Sequence, residues 1–180
     1  MSTAADNSTG EAMAKLDANP AFQELMATDF TNYLNGPLAN ITDASGKHRA
    51  GRSSLVMIYA SWCGHCQHYL QSDVPQKTKE VVEGSGRSDL GLFKFEGSTL
   101  TDAHKVSSEF FKVTGYPTFI LIYVGPEPKA QMKFDYIPDS VNRDDPSAQF
   151  KALYDFDARW RSEKQNNSAP AIPSSASRSE

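Results

Sequence analysis

The sequence predicts an α/β fold, with a central mixed β-sheet flanked by helices on both faces. Three observations lead there. Two continuous apolar runs of strand length, Leu55–Ala60 and Phe119–Val124, suit strands buried on both sides. Helical stripes and Gly/Pro breaks fall between the strands, giving strand–helix–strand and then a hairpin and a last helix. With 180 residues, 11% of them aromatic, the chain can pack one real core and is short for two.

Each element has its own signal. Phe22, Leu25, Met26, Phe30, Tyr33 and Leu34 recur at helical spacing, with Asn19 as a cap, Pro20 in the first turn and Gly36-Pro37 as the stop. A short strand is expected near Leu38–Ile41, then a polar loop from Ala44 to Arg52. After the Leu55–Ala60 strand a helix should begin at Cys63, carry Tyr69 and Leu70, and break before Pro75. A second helical piece should end before Gly84. Leu90–Glu96 reads as a strand, Ser107–Lys112 as a short helix and Phe119–Val124 as the strand after Pro117. Gly125-Pro126 turns the chain, and Met132–Ile137 pairs back. Phe150, Leu153, Tyr154 and Trp160 give a closing helix its buried face, and Phe93, Phe95, Phe110 and Phe111 are expected core. The domain is drawn over residues 19–161. Residues 1–18 and 162–180, small, polar and nearly devoid of bulky apolar side chains, are expected to be disordered tails.

Composition excludes several functions. Eighteen Lys and Arg against 22 Asp and Glu give a net charge of -4, without the basic excess that nucleic acid binding draws on. No apolar run approaches the ~20 residues of a spanning helix, so no membrane insertion is expected. The start of the chain has no apolar stretch of a secretory signal. The default expectation is therefore a cytoplasmic monomer, with an oxidising compartment fitting a fragment or a chain targeted by other means. Two cysteines rule out a disulfide framework and a four-cysteine metal site.

The chemistry lies in Trp62-Cys63-Gly64-His65-Cys66. A C-x-x-C that follows a buried strand and opens a helix is a dithiol–disulfide arrangement. One helical turn brings the two sulfurs within bonding reach. Cys63, at the helix N-terminus, gains thiolate character from unpaired N–H groups and the dipole, which makes it the candidate nucleophile. Cys66 lies one turn deeper and is the candidate resolving thiol. His65 adds a donor or a positive charge beside Cys63, favouring the reduced form.

The segment Tyr59–Cys66, YASWCGHC, resembles the active-site segment of the protein disulfide isomerase branch of the thioredoxin superfamily. Val113–Phe119, VTGYPTF, resembles that family's second signature. Together they cover roughly Ser54 to Phe134. The resemblance implies the thioredoxin fold and thiol–disulfide exchange on protein or peptide thiols and disulfides, without a cofactor or a metal. It also implies a cis bond before Pro117 and a substrate clamp made by Pro117 with the Tyr116 main chain. Trp62 would pack over the disulfide and border the substrate cleft.

Departures from the family pattern matter as much. The family's buried acid, six residues before the first cysteine, serves the second cysteine as proton acceptor; Met57 stands there. Lys94 matches the lysine usually near that acid, and Glu96 follows two residues on, on the same strand face. Lys94 either turns to solvent or Glu96 takes over the acid's task, so both are proton-transfer candidates. Gln71 replaces a family proline, and Arg143 is a positional candidate for the family's mobile arginine.

Other readings compete. Cys63 and Cys66 could be an inert buried pair. Zinc would need ligands from outside the helix, such as His48 or His104, because Cys63, His65, Cys66 and His68 on one short helix cannot surround a metal tetrahedrally. Haem attachment fails, since Gln67 rather than histidine follows Cys66. In a binding-module reading, the cleft around Trp62, Tyr116 and Pro117 holds an extended peptide and Met57 marks a catalyst without its proton acceptor.

Overall fold

The computed structural model describes residues 21–27, 29–30, 52–125 and 132–168. Five strands form one sheet in the order β1-β3-β2-β4-β5. They are β1 Gln23–Leu25, β2 Arg52–Tyr59, β3 Leu90–Glu96, β4 Thr118–Val124 and β5 Met132–Tyr136. β1 and β2 run parallel to β3, while β4 is antiparallel to both β2 and β5. The helices are α1 Gly64–Gln71, α2 Val74–Gly84, α3 Thr101–Lys105 and α4 Pro146–Ser168, with a π-helical turn Val106–Phe110 continuing α3. This is the thioredoxin fold, with the mixed sheet that the apolar runs predict.

Strand alternation divides the core in two. On one face Phe22, Leu55, Met57, Tyr59, Phe119 and Leu121 pack with α1, α2 and α4. On the other Leu25, Val56, Ile58, Phe95 and Ile120 pack with Val106 and Phe111. Each such side chain contributes about 1.5–3 kcal/mol on burial. Because β2 is buried along most of its length, it reads as a run rather than as an alternation.

Helix boundaries follow local chemistry. α1 ends at Gln71, and Ser72 caps it through backbone bonds to His68 and Tyr69. Pro75 then sits in the first turn of α2, where its missing N–H has no helical partner to lose. Asp145 Oδ1 accepts from the Ser147 and Ala148 amides and opens α4.

Five expectations are corrected. Residues 23–25 form a strand, not the middle of a helix. Phe22 and Leu25 face opposite sides of the sheet, and only Asp29–Phe30 begin a helical turn, with the Asp29 side chain holding the Met26 amide. Pairing with β3 overrode a stripe that a strand followed by a helix can also produce. The closing helix runs to Ser168, past the boundary at residue 161. Tyr154 lies on its exposed side, where Arg87 stacks 5.5 Å from the ring centroid, while Leu153 is buried as expected and Phe156 and Asp157 are buried with it. Arg52 opens β2 rather than closing a loop, and Phe110 is only partly buried. The expected tail 1–18, the Asn19-Pro20 cap, the 38–41 strand and residues 169–180 lie outside the described residues.

Candidate active site

β2 ends at Tyr59, and three residues carry the chain to the start of α1. Cys63 is the N-cap of α1. Its Sγ accepts from the Cys66 amide at 3.4 Å, so the sulfur itself satisfies one of the orphan donors of the helix start. The Cys63 thiol also donates to the Tyr116 carbonyl, with sulfur and oxygen 3.4 Å apart. Both cysteines are free thiols. Cys63 is 7% exposed and Cys66 fully enclosed. Burial, with the hydrogen bond to Cys63 next in weight, pushes the Cys66 thiol up to about 12, and a backbone hydrogen bond from Ala60 only partly offsets it. The outer sulfur can meet a substrate, whereas the inner one needs help to ionise.

The Tyr116–Pro117 peptide bond is cis and faces the cysteines through the Tyr116 carbonyl. The Tyr116 ring meets Trp62 edge-on at 5.9 Å, and its hydroxyl donates to Gly97 O at 3.0 Å. A Cβ at Gly97 would come within 2.8 Å of Ser107 and 2.9 Å of Ile58. Glycine there lets the π-helical turn lean against the end of β3, and Ser107 Oγ donates to the same Gly97 carbonyl. Trp62, 69% exposed, stands over this frame. His65 is exposed on α1, and no hydrogen bond joins it to the Cys63 sulfur among the described residues. Arg143 pairs with Asp139 and lies 5.8 Å from the centre of the Phe119 ring. A concavity of about 520 Å³ between β5 and α4 contains neither cysteine.

A thioredoxin family model matches residues 47–135, which take in both cysteines, Tyr116 and Pro117. Residues 47–135 form a thioredoxin-family domain. Among solved structures, the fourth thioredoxin domain of ERdj5 is similar over 76% of this chain and 95% of its own, at 17% identity and a TM-score of 0.50. Thioredoxin f from spinach chloroplast is similar over 82% of this chain and 93% of its own, at 14% identity and a TM-score of 0.43. At 17% identity the likeness to the ERdj5 domain speaks to the fold alone. No curated protein matches the sequence. Within the thioredoxin frame, the cysteine pair supports thiol–disulfide oxidoreduction. Among the described residues, no cluster of three or more His, Cys, Asp or Glu is placed to hold a metal.

On β1 and β3 the thioredoxin sheet holds two carboxylates in contrasting settings, Glu24 and Glu96. Glu96 accepts from the Ser61 amide, from the Ser98 and Thr99 amides and from both hydroxyls of those two residues. Burial pushes its carboxyl up, but these bonds outweigh it and hold it below the usual range. Glu96 thus ties the loop after β3 to the loop before α1. Lys94 does not turn to solvent. It is 2% exposed, its Nζ lies 3.5 Å from Glu24 Oε2, and it sits 5.8 Å from the centre of the Tyr59 ring.

Glu24 is the residue that sequence reading missed. The Tyr59 hydroxyl donates to it at 3.1 Å and the Glu96 amide at 3.2 Å. Burial pushes its carboxyl up to about 7, against the lowering effects of the Lys94 charge and these hydrogen bonds. Reading 22–25 as an alternating strand would have placed Glu24 on the inner face with Phe22; the helical reading hid it.

Proposed function

We propose that this domain exchanges thiols and disulfides with protein or peptide substrates in the manner of a protein disulfide isomerase domain. The observation that carries the reading is the position of the Cys63 sulfur. It caps α1, receives the Cys66 amide and lies against the Tyr116 carbonyl beside a cis proline. In the forward direction Cys63 thiolate attacks a substrate disulfide, and one substrate sulfur leaves as thiolate. Cys66 then displaces the second substrate sulfur, leaving Cys63 and Cys66 joined and the substrate reduced. Run backwards, the same steps oxidise a dithiol, and partial reversal isomerises disulfides. His65, between the two cysteines, tunes the reduction potential of the pair. Pro117 and the Tyr116 main chain hold the substrate backbone, and Trp62 offers apolar contact. No cofactor is required, because the electron pair travels as the disulfide.

Trapping provides the test. Cys66→Ser should accumulate a mixed disulfide between Cys63 and a disulfide-bonded peptide, while Cys63→Ser forms none. Reactivation of scrambled ribonuclease by the wild type, abolished in Cys63→Ser, would extend the reading from exchange to isomerisation. The exposed Trp62 favours a second reading, in which the cleft holds a partner without turnover. Absence of any trapped species in Cys66→Ser would select it.

A further inference from the structure

Ser61 lies between the end of β2 and the cysteine pair, and it is buried. Backbone groups that water does not reach need partners from the protein. Both of those on Ser61 find them in side chains of distant elements. Its amide donates to Glu96 Oε1, at the end of β3, at 3.2 Å. Its carbonyl accepts from Gln67 Nε2, on α1, at 2.7 Å. The backbone closes beside them. The Cys63 amide donates to the Ala60 carbonyl and the Gln67 amide to the Cys63 carbonyl, each at 3.0 Å. Trp62 projects to solvent between two held neighbours, Ser61 and the N-cap Cys63. Glu96 is itself fixed, because it also accepts from the amides and hydroxyls of Ser98 and Thr99. The Gly97 amide between them donates to the Tyr59 carbonyl at 2.9 Å, and the Gly97 carbonyl takes the Tyr116 hydroxyl. The 96–99 loop therefore reaches the cysteine wall of the cleft through Glu96 and the cis-proline wall through Tyr116. We propose, resting on the oxidoreductase reading above, that Glu96 and Gln67 are positioning residues: by gripping Ser61 from both sides they hold Cys63 in register with Cys66 and set how readily the pair closes.

The closing step shows what the grip contributes. Cys66 gives its proton to water or buffer, and its sulfur bonds to the Cys63 sulfur. The bond from Cys63 to the substrate sulfur breaks, and the substrate sulfur leaves with the electron pair. Cys66 is enclosed on α1 beneath the sheet end, so its place is set by packing. Cys63 stands at the junction of helix and loop, so its place depends on the loop. A pair already in register loses little freedom when the bond forms, whereas a loose outer cysteine must first be ordered. Among the described residues neither Glu96 nor Gln67 hydrogen-bonds a cysteine sulfur. Their effect passes through the Ser61 backbone alone.

The experiment separates closing from attack. Reduced protein is mixed with oxidised glutathione at pH 7, quenched in acid over time and read by mass. The closing equilibrium is taken from a glutathione-buffered titration of the same samples. Gln67→Met, at a half-buried helix position, keeps the side-chain length and removes the donor. Glu96→Gln leaves one acceptor oxygen where two are used. In each variant the ratio of the closing step to the first step should fall about five-fold, the worth of one hydrogen bond spent on ordering. The equilibrium constant for closing should fall by a similar factor, which makes the pair more oxidising. The double variant should fall little further than the larger single one, because either loss frees the same residue. Side chains that only stabilise the fold would lower the urea midpoint and move neither the ratio nor the potential. That result in Gln67→Met overturns the proposal, even where Glu96→Gln fails to fold, and leaves the oxidoreductase reading intact. Losses that multiply in the double variant overturn the shared grip on Ser61. A wild type that forms no mixed disulfide overturns both readings.

Discussion

The two ends of the parallel strands treat buried charge in opposite ways. At the start of β2 and β3, Asp157 of α4 is 1% exposed, yet it accepts from Ser53 Oγ at 2.7 Å, Arg87 at 2.6 Å and Arg161 at 2.9 Å. Burial pushes its carboxyl up, but those bonds outweigh it and hold it below the usual range. Asp89 binds both arginines as well, closing a four-residue network. At the other end burial pushes the Glu24 carboxyl up to about 7. One lysine, one phenol and one amide do not offset its desolvation. Many good donors hold a desolvated acid as a fixed anion, whereas few leave desolvation free to raise it toward neutrality. The first end clamps α4 to the sheet, and the second joins β1 to β3 and to Tyr59 at the end of β2.

The largest way to break this contrast is at the clamp. Asp157→Ala leaves Arg87, Arg161 and Ser53 without their shared acceptor, and about 3 kcal/mol of stability should be lost, read as a lower urea midpoint. The alkylation rate of Cys63 should stay within two-fold of wild type, and a larger change would mean that the two ends are not independent.

A smaller effect is expected at the open end. His65→Pro removes an imidazole next to the cysteine pair and so a polar neighbour of the reduced form. The disulfide should become harder to reduce by about 30 mV, equivalent to ~1.4 kcal/mol, in a glutathione-equilibrated titration. No shift, or a shift toward a more oxidising potential, would remove His65 from the site.

The smallest effect is a pH slope. The folded-state pKa of Glu24 lies above its ordinary value, so the native state keeps a proton that the unfolded chain releases between about pH 4.5 and 7. Stability therefore falls as pH rises through that window and is level above it. Between pH 5 and 7.5 the wild type should lose about 1 kcal/mol more than Glu24→Gln in urea unfolding, part of the shift being discounted for solvent contact. Parallel curves would show that Glu24 is an ordinary surface acid.

The same contrast explains what could be read from sequence. The central strands were legible because β2 and β4 are apolar along nearly their whole length, and α1 because a C-x-x-C after such a run opens a helix. Trp62, Cys63, Cys66, Tyr116 and Pro117 fall together because they lie at the ends of these legible elements. β1 was not legible. It has three residues, and its apolar neighbours also fit a helix until β3 is there to pair with it. Glu24 was lost with it, since an acid on a helix stripe reads as surface. Asp157 and Arg161 stand four residues apart on α4, and only the folded chain brings Ser53 and Arg87 to Asp157. Long-range partners of buried charge leave no local signal.

The central claim is that Cys63 and Cys66 have divided tasks, the outer thiol attacking and the inner one waiting for a base. A mass-spectrometric time course of iodoacetamide labelling of the reduced protein at pH 7, resolved by peptide, tests it most directly. Cys63 should be modified first and nearly to completion while Cys66, enclosed and pushed up to about 12, stays unlabelled. Equal labelling of the two, or earlier labelling of Cys66, would contradict the assignment.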